Sequence, residues 1–372
     1  MRMKKITCFT ESLGGGGAEH QMVMLAGMLA EKGYDVTLVT YATLQDHYEI
    51  PQGVKRLDIG RTNINGRKRK ALVKFFKVFN YFIRLRTDCV ISYRQCANIR
   101  VLVPMLFRSH RIKVICSDRN TSLWISFQHK LLLNLLYKRA DYIVPNSKTQ
   151  KDFIASVKPR LLPKLYTIHN YTDLQQFRAS KVPEDLSTIK VAIFSRYSSQ
   201  KNPIGFAKAM KELKSRTEKS FEVHWYGEQR GGIDGFNQDY LNIKQIINDL
   251  KIDKVLKLRP SVKDPSLYMG DYHAVCLPSL YEGFSNSVAE GICSAKPMLV
   301  SDVSDNSVMV HDGENGFLFD PKDTKGIIDA FEKFFSLPYH QMVLMSENSR
   351  KIAEELFDRE QFIQQYIKLI ES

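Results

Sequence analysis

Runs of four to six apolar residues recur along this chain, each followed by a polar turn and a stretch of helical periodicity. In the first half, residues 6–10, 35–40, 89–92, 113–117 and 142–145 read as strands. Between the first two, an amphipathic helix is expected from about Ala18 to Lys32, closed by Gly33. A polar stretch at 180–185 interrupts the pattern. It restarts with a strand at 190–195, a helix over about 203–216, and strands at 223–227 and 274–279. Short apolar strands alternating with helices predict an α/β fold with a doubly wound parallel sheet, and the interruption predicts two of them. The boundaries read as a first domain over 1–172, a linker over 173–188, a second domain over 189–356, and a C-terminal helix over 357–372.

Length and composition agree with two globular domains: 372 residues, 44% hydrophobic and 25% charged. There is no apolar run of about eighteen residues, so no membrane-spanning helix is expected. The N-terminus runs from Met1-Arg2-Met3-Lys4-Lys5 straight into a strand, without the pattern of a secretory leader. Cys8, Cys89, Cys96, Cys116, Cys276 and Cys293 form no C-x-x-C pair and no metal spacing; the expectation is a reduced, cytoplasmic protein without a metal site. The net charge of +14 is lopsided. Residues 1–172 hold 29 Lys and Arg against 11 Asp and Glu, a net of +18, while residues 173–372 hold 25 against 29, a net of −4. An acidic partner is expected for the first half.

The candidate chemistry gathers where strands end. After the run at 274–279, Glu282-Gly283-Phe284-Ser285-Asn286 leads into a small apolar helix carrying Glu290. Free amides at a helix N-terminus favour an anion, and carboxylates beside them are suited to accept hydrogen bonds from sugar hydroxyls. Together these point to a nucleotide-sugar site. Arg196 and Lys201 follow the first strand of the second half, a planar fork and a point charge able to converge on phosphate. Gly14-Gly15-Gly16-Gly17 follows the first strand of the chain, but Glu19 stands where a dinucleotide fingerprint wants glycine, and no acidic residue ends the second strand. That weakens a NAD-dependent reading. Asp118 and Arg119 end another strand of the first half. Residues 66–84 are basic, aromatic and helix-compatible, suited to an anionic bilayer or to ordinary packing on a sheet. No nucleic-acid recognition motif accompanies the charge.

The segment from Asp271 to Pro321 resembles, over about fifty residues, the E-x7-E region of the retaining GT-B glycosyltransferases of family 4. The resemblance implies two Rossmann-like domains with the active site in the cleft between them, the last helix crossing back onto the first. It assigns the donor sugar to Glu282 and the nucleotide ribose to Glu290. Arg196 and Lys201 take the donor diphosphate, with Gly283, Phe284, Ser285 and Asn286 beside it. Gly15, Gly16 and Gly17 are placed near the donor phosphates and the acceptor. Asp118, where many members carry Glu, is expected with Arg119 at a sugar. His169-Asn170-Tyr171-Thr172-Asp173 resembles the family's hinge, with Tyr-Thr in place of Gly-Val.

The resulting expectation is a retaining, metal-independent glycosyltransferase with no cofactor, using a nucleotide-diphosphate sugar, expected to be UDP-linked. The expected acceptor is a polyprenyl-diphosphate-linked glycan of lipopolysaccharide, O-antigen or capsule assembly. The protein is expected on the inner face of the plasma membrane, bound through its basic first domain. A nucleotide-sugar hydrolase, epimerase or phosphorylase on the same fold, and a non-enzymatic glycan or membrane binder, are the alternatives.

Overall fold

Apolar strands flanked by amphipathic helices bury most area when the strands pair edge to edge and the helices cover both faces. The computed structural model, which describes all residues except 1–2, 15, 43–46, 61–66, 109, 120–126 and 232–234, does this twice. One unit comprises Met1–Tyr171 and Arg359–Ser372, the other Thr172–Asp358.

The first unit runs β1 (Lys5–Thr10), α1 (Gly17–Glu31), β2 (Asp35–Thr40), β3 (Lys55–Asp58), α2 (Arg67–Arg84), β4 (Cys89–Tyr93), α3 (Gln95–Met105), β5 (Lys113–Asp118), α4 (Phe127–Leu131), β6 (Tyr142–Pro145) and α5 (Lys148–Val157). Its six strands are all parallel, in the order β3-β2-β1-β4-β5-β6. The edge strand β3, Lys-Arg-Leu-Asp, escaped the sequence reading because only its pairing with β2, not apolar content, makes it a strand.

The second unit runs β7 (Ile189–Phe194), α6 (Pro203–Arg216), β8 (Phe221–Gly227), a short hairpin of β9 (Arg230–Gly231) and β10 (Gly235–Phe236), α7 (Gln238–Asp249), β11 (Leu256–Pro260), β12 (Ala274–Leu277), α8 (Asn286–Cys293), β13 (Met298–Ser301), α9 (Asn306–Met309), β14 (Gly316–Phe319), α10 (Thr324–Phe335) and α11 (Tyr339–Leu356). Its main sheet, β11-β8-β7-β12-β13-β14, is parallel and repeats the strand order of the first. Trp225, Phe206, Phe331 and Phe334 lie at the centre of its core.

The last helix, α12 (Arg359–Glu371), belongs to the first unit. Its buried Tyr366 meets the Tyr93 hydroxyl at 2.8 Å, and Lys113 Nζ donates to the carbonyls of Leu369 and Ile370 at 3.1 Å each. At the other crossing, the buried Gln21 amide both donates to Tyr171 O (2.6 Å) and accepts from Tyr171 N (2.9 Å), so the chain is held up to the boundary.

Residues 173–188, read as a linker, belong to the second unit. Val182 joins the second core, Ser180 N donates to Ser294 O at 3.1 Å, and the fully buried Lys296 donates to Lys181 O at 2.7 Å. A buried ammonium demands an acceptor, and this segment supplies it. Among the described residues, no helix is long and apolar enough to cross a membrane.

The β13–β14 pairing is close enough to dictate a side chain. A Cβ on Gly316 would meet Met298 O at 2.1 Å, a backbone atom that cannot retreat without opening the sheet. Gly316→Ala should therefore lower unfolding free energy by about 1–3 kcal/mol, read from chemical denaturation; an unchanged midpoint would contradict this account of the edge.

Candidate functional site

Strand order in the second sheet reverses between β7 and β12: β7 leads on to β8 on one side, β12 to β13 on the other. The loops leaving their carboxyl ends diverge there, opening the crevice where such sheets bind ligands. Here the two loops are stitched together. Leu280 N donates to Gln200 O at 2.8 Å, Gln200 Nε2 to Tyr281 O at 2.9 Å, and Ser287 Oγ to Phe194 O at 2.6 Å. Lys201 closes the short 3-10 turn Ser199–Lys201, and Asn202 follows in a left-handed conformation (φ 56°), its side chain donating to Pro321 O at 2.7 Å.

This stitching brings Lys201 Nζ into an ion pair with Glu282 Oε1, with side chains only 12% and 9% exposed. Arg196, two residues past the end of β7, is exposed. Gly283 to Ser285 lead into α8, whose first helical hydrogen bond runs from Ala289 N to Ser285 O. The N-terminus of α8 therefore lies at these loops, where the helix dipole favours an anion. Phe284 is buried, its ring edge-on to Phe357 with centroids 6.2 Å apart, which anchors the turn.

Glu290 lies one turn into α8 and is half-buried. Burial, with the charge of Asp264 as a smaller contribution, pushes its carboxyl up to about 8. Asp264 itself is held by Ser266 N (3.1 Å) and Ser266 Oγ (2.7 Å). The site thus offers two cations, a helix N-terminus, one carboxylate committed to a lysine and one carboxyl that burial pushes up to about 8. The sequence reading missed Asp264 and Gln200; neither stands in a recognisable motif, and only the meeting of separate loops brings them in.

In the first unit the outcome differs. Gly16 precedes α1, and its amide donates to Glu19 Oε2 at 2.5 Å while Ser12 Oγ donates to Glu19 Oε1 at 2.8 Å. A Cβ on Gly16 would sit 2.2 Å from that carboxylate. Glycine is needed there for Glu19 to fold back, and the expected phosphate position at the head of α1 holds a carboxylate of the protein's own. The Gly-x-x-Glu spacing was the available signal, since Glu three residues into a helix reaches back to the cap. Gly17 opens α1, and Gly15 lies outside the described residues.

Asp118 and Arg119, the residues expected at a sugar, are both buried. Asp118 is 1% exposed, with Gln150 Nε2 at 3.5 Å and the buried His129 Nε2 at 3.4 Å from its Oδ2. Arg119 donates to Asn170 Oδ1 and to the Tyr366 hydroxyl (3.0 Å), and lies 3.8 Å over the Tyr93 ring. Its charge is spent on holding α12 and the chain before Tyr171. Asn120 and Thr121, which follow it, lie outside the described residues.

Comparison with known sequences now bears on this geometry. The family described as Glycosyl transferases group 1 matches residues 175–352, and Glycosyltransferase Family 4 matches residues 15–176. The N-acetylgalactosamine-N,N'-diacetylbacillosaminyl-diphospho-undecaprenol 4-alpha-N-acetylgalactosaminyltransferase of Campylobacter jejuni is 24% identical over 388 residues, covering 99% of this chain and 100% of that protein. Among solved structures, HepE of Anabaena in complex with UDP superposes with a TM-score of 0.78 at 18% identity, covering 99% of each chain. Sucrose-phosphate synthase from Thermosynechococcus elongatus gives 0.81 at 15% identity, covering 98% of each. At such identities the solved structures bear on the fold alone.

The raised Glu290 carboxyl carries a stability signature. Its folded value lies above the 4.5 of the free group, so the native state holds the proton more tightly and stability falls as pH rises from about 4.5 to about 8. Melting curves of wild type and Glu290→Gln from about pH 5 to about pH 9 should diverge in favour of the variant as pH rises. Parallel curves would show that Glu290 titrates normally.

Proposed function

The chain belongs to the glycosyltransferases of group 1 and family 4, and on that premise we propose that it moves a hexose or N-acetylhexosamine from a UDP-sugar to a lipid-linked glycan, with retention at the anomeric carbon. The observation that carries this reading is the Lys201–Glu282 pair held at the head of α8 by the Gln200 stitch. It sets a cation for the donor diphosphate beside a carboxylate for the donor sugar. The lipid-linked acceptor rests on the name of the Campylobacter relative and on the +18 charge of residues 1–172; UDP rests on the HepE complex.

The chemistry follows from where charge develops. As the anomeric C–O bond to the diphosphate breaks, negative charge builds on the departing phosphate oxygens. Arg196 as a fork, Lys201 as a point charge and the N-terminal dipole of α8 stabilise it without reorganisation, so no divalent ion is called for. The acceptor hydroxyl attacks on the same face, its proton passing to the departing diphosphate. Glu282 accepts from sugar hydroxyls and sets the face presented, and Glu290 accepts from the ribose.

Lys201→Ala and Glu282→Gln should each lower turnover by about 10²–10³-fold, measured as UDP released with acceptor present at a temperature where circular dichroism shows the variant folded, since losing one partner of so buried a pair lowers the melting temperature. Near-wild-type turnover in both would sink the assignment, and an inverted anomeric configuration in the product, by NMR, would overturn retention. Because ribose hydroxyls stabilise the charged form of Glu290, UDP binding at neutral pH should release a proton. Its calorimetric affinity should rise between about pH 6 and about pH 8 and stay flat in Glu290→Gln; a flat wild-type profile would place the ribose elsewhere.

A further inference from the structure

Helix α2 carries an apolar face wider than its core packing uses. At one edge of it, Val78 and Phe82 are buried in the core of the first unit. Leu72, Phe75, Phe76 and Phe79, spaced i, i+3, i+4, i+7, carry the face outward; Leu72 is 59% exposed, Phe75 43% and Phe76 53%. Core packing explains the buried edge and leaves the exposed part without a purpose.

The loop after α3 extends this stripe. Arg108 donates to the carbonyls of Phe82 and Ile83 at 2.8 Å each and of Leu85 at 2.5 Å, capping the carboxyl end of α2. That cap pins the loop against the helix, so Phe107, 71% exposed, lies with its ring centroid 5.9 Å from Phe79. Phe79 in turn contacts Phe75 at 6.2 Å, and Phe75 contacts Phe76 at 5.7 Å. The result is a continuous seam of four phenyl rings drawn from two elements. Between residues 67 and 84 the chain has seven Lys or Arg and no Asp or Glu. The side chains of Arg67, Lys68, Arg69 and Lys70 lie outside the described residues, while Lys77 is exposed.

We propose that the seam of Phe75, Phe76, Phe79 and Phe107 is a docking surface for an anionic bilayer, with the rings entering the acyl boundary and the cations of α2 meeting lipid phosphates. Cations alone would serve any acidic partner. Exposed phenyl rings beside cations, on a helix without a single carboxylate, match the two layers of a charged membrane surface in order. The proposal deepens the lipid-linked acceptor reading, since it would bring the enzyme to the plane where such an acceptor lies, but vesicle binding can be measured without turnover.

The test is co-sedimentation of the full chain with phosphatidylcholine vesicles, with and without phosphatidylglycerol. Wild type should bind the anionic vesicles. Phe75→Ser, Phe76→Ser and Phe107→Ser combined should weaken partitioning by about tenfold or more, in a protein that stays folded at the assay temperature, because none of the three rings belongs to the buried core. Alanine at Arg67, Lys68, Arg69 and Lys70 should weaken binding at low salt and make little difference at high salt. Wild type that does not bind anionic vesicles, or a triple variant that binds as wild type does, overturns the proposal. So does a wild-type dimer in sedimentation that the triple variant dissolves, since the seam would then belong to a second copy of the chain.

Discussion

In a parallel sheet wound in both directions from its middle, two neighbouring strands must send their loops opposite ways, and the gap they leave cannot be filled by either connection. The ligand crevice of the second unit depends on that constraint. It sets the ends of β7 and β12 side by side, and it gives loops 80 residues apart in sequence the chance to hydrogen-bond. Gln200 takes that chance from both sides, through its backbone carbonyl and its side-chain amide. The Lys201–Glu282 pair is the consequence, an ion pair with little exposure whose two members come from different loops and whose geometry is maintained by uncharged bonds around it.

The same gap exists between β1 and β4 of the first sheet, yet the chain treats it differently. There the helix head is capped internally by Glu19, and the strand-end charges of Asp118 and Arg119 are consumed by His129, Gln150, Asn170 and Tyr366. The two units share a strand order, but the second leaves Arg196 exposed just past the end of β7. The two carboxylates of the α8 region divide in the same spirit: Glu282 is matched by a lysine, whereas Glu290, short of a cation and near Asp264, favours its proton.

Much of this was legible beforehand. Strands such as 113–117 and 190–195 are apolar enough to announce themselves, and the Glu282 to Glu290 segment carries its own strand, turn and helix signals. Three of the parts that escaped share a cause. β3 is polar because it lies at an edge; residues 173–188 read as a linker although Lys296, over a hundred residues later, needs the Lys181 carbonyl; and Arg119, expected at a sugar, is held inside by Tyr366 from the other end of the chain. Each is settled by a partner distant in sequence.

By itself, then, the sequence determined what is local: the alternation of strand and helix, the division into a basic and an acidic half, the order of residues around α8, and the presence of aromatics and cations along α2. Periodicity and turn chemistry act over a few residues, so a single chain displays them. Tertiary structure decided which charges face outward and which are spent inside, because burial and pairing depend on neighbours that periodicity does not register. It turned Arg119 inward and left Arg196 outside, and it joined Phe107 to a helix more than twenty residues before it, where Arg108 happens to find the free carbonyls of α2.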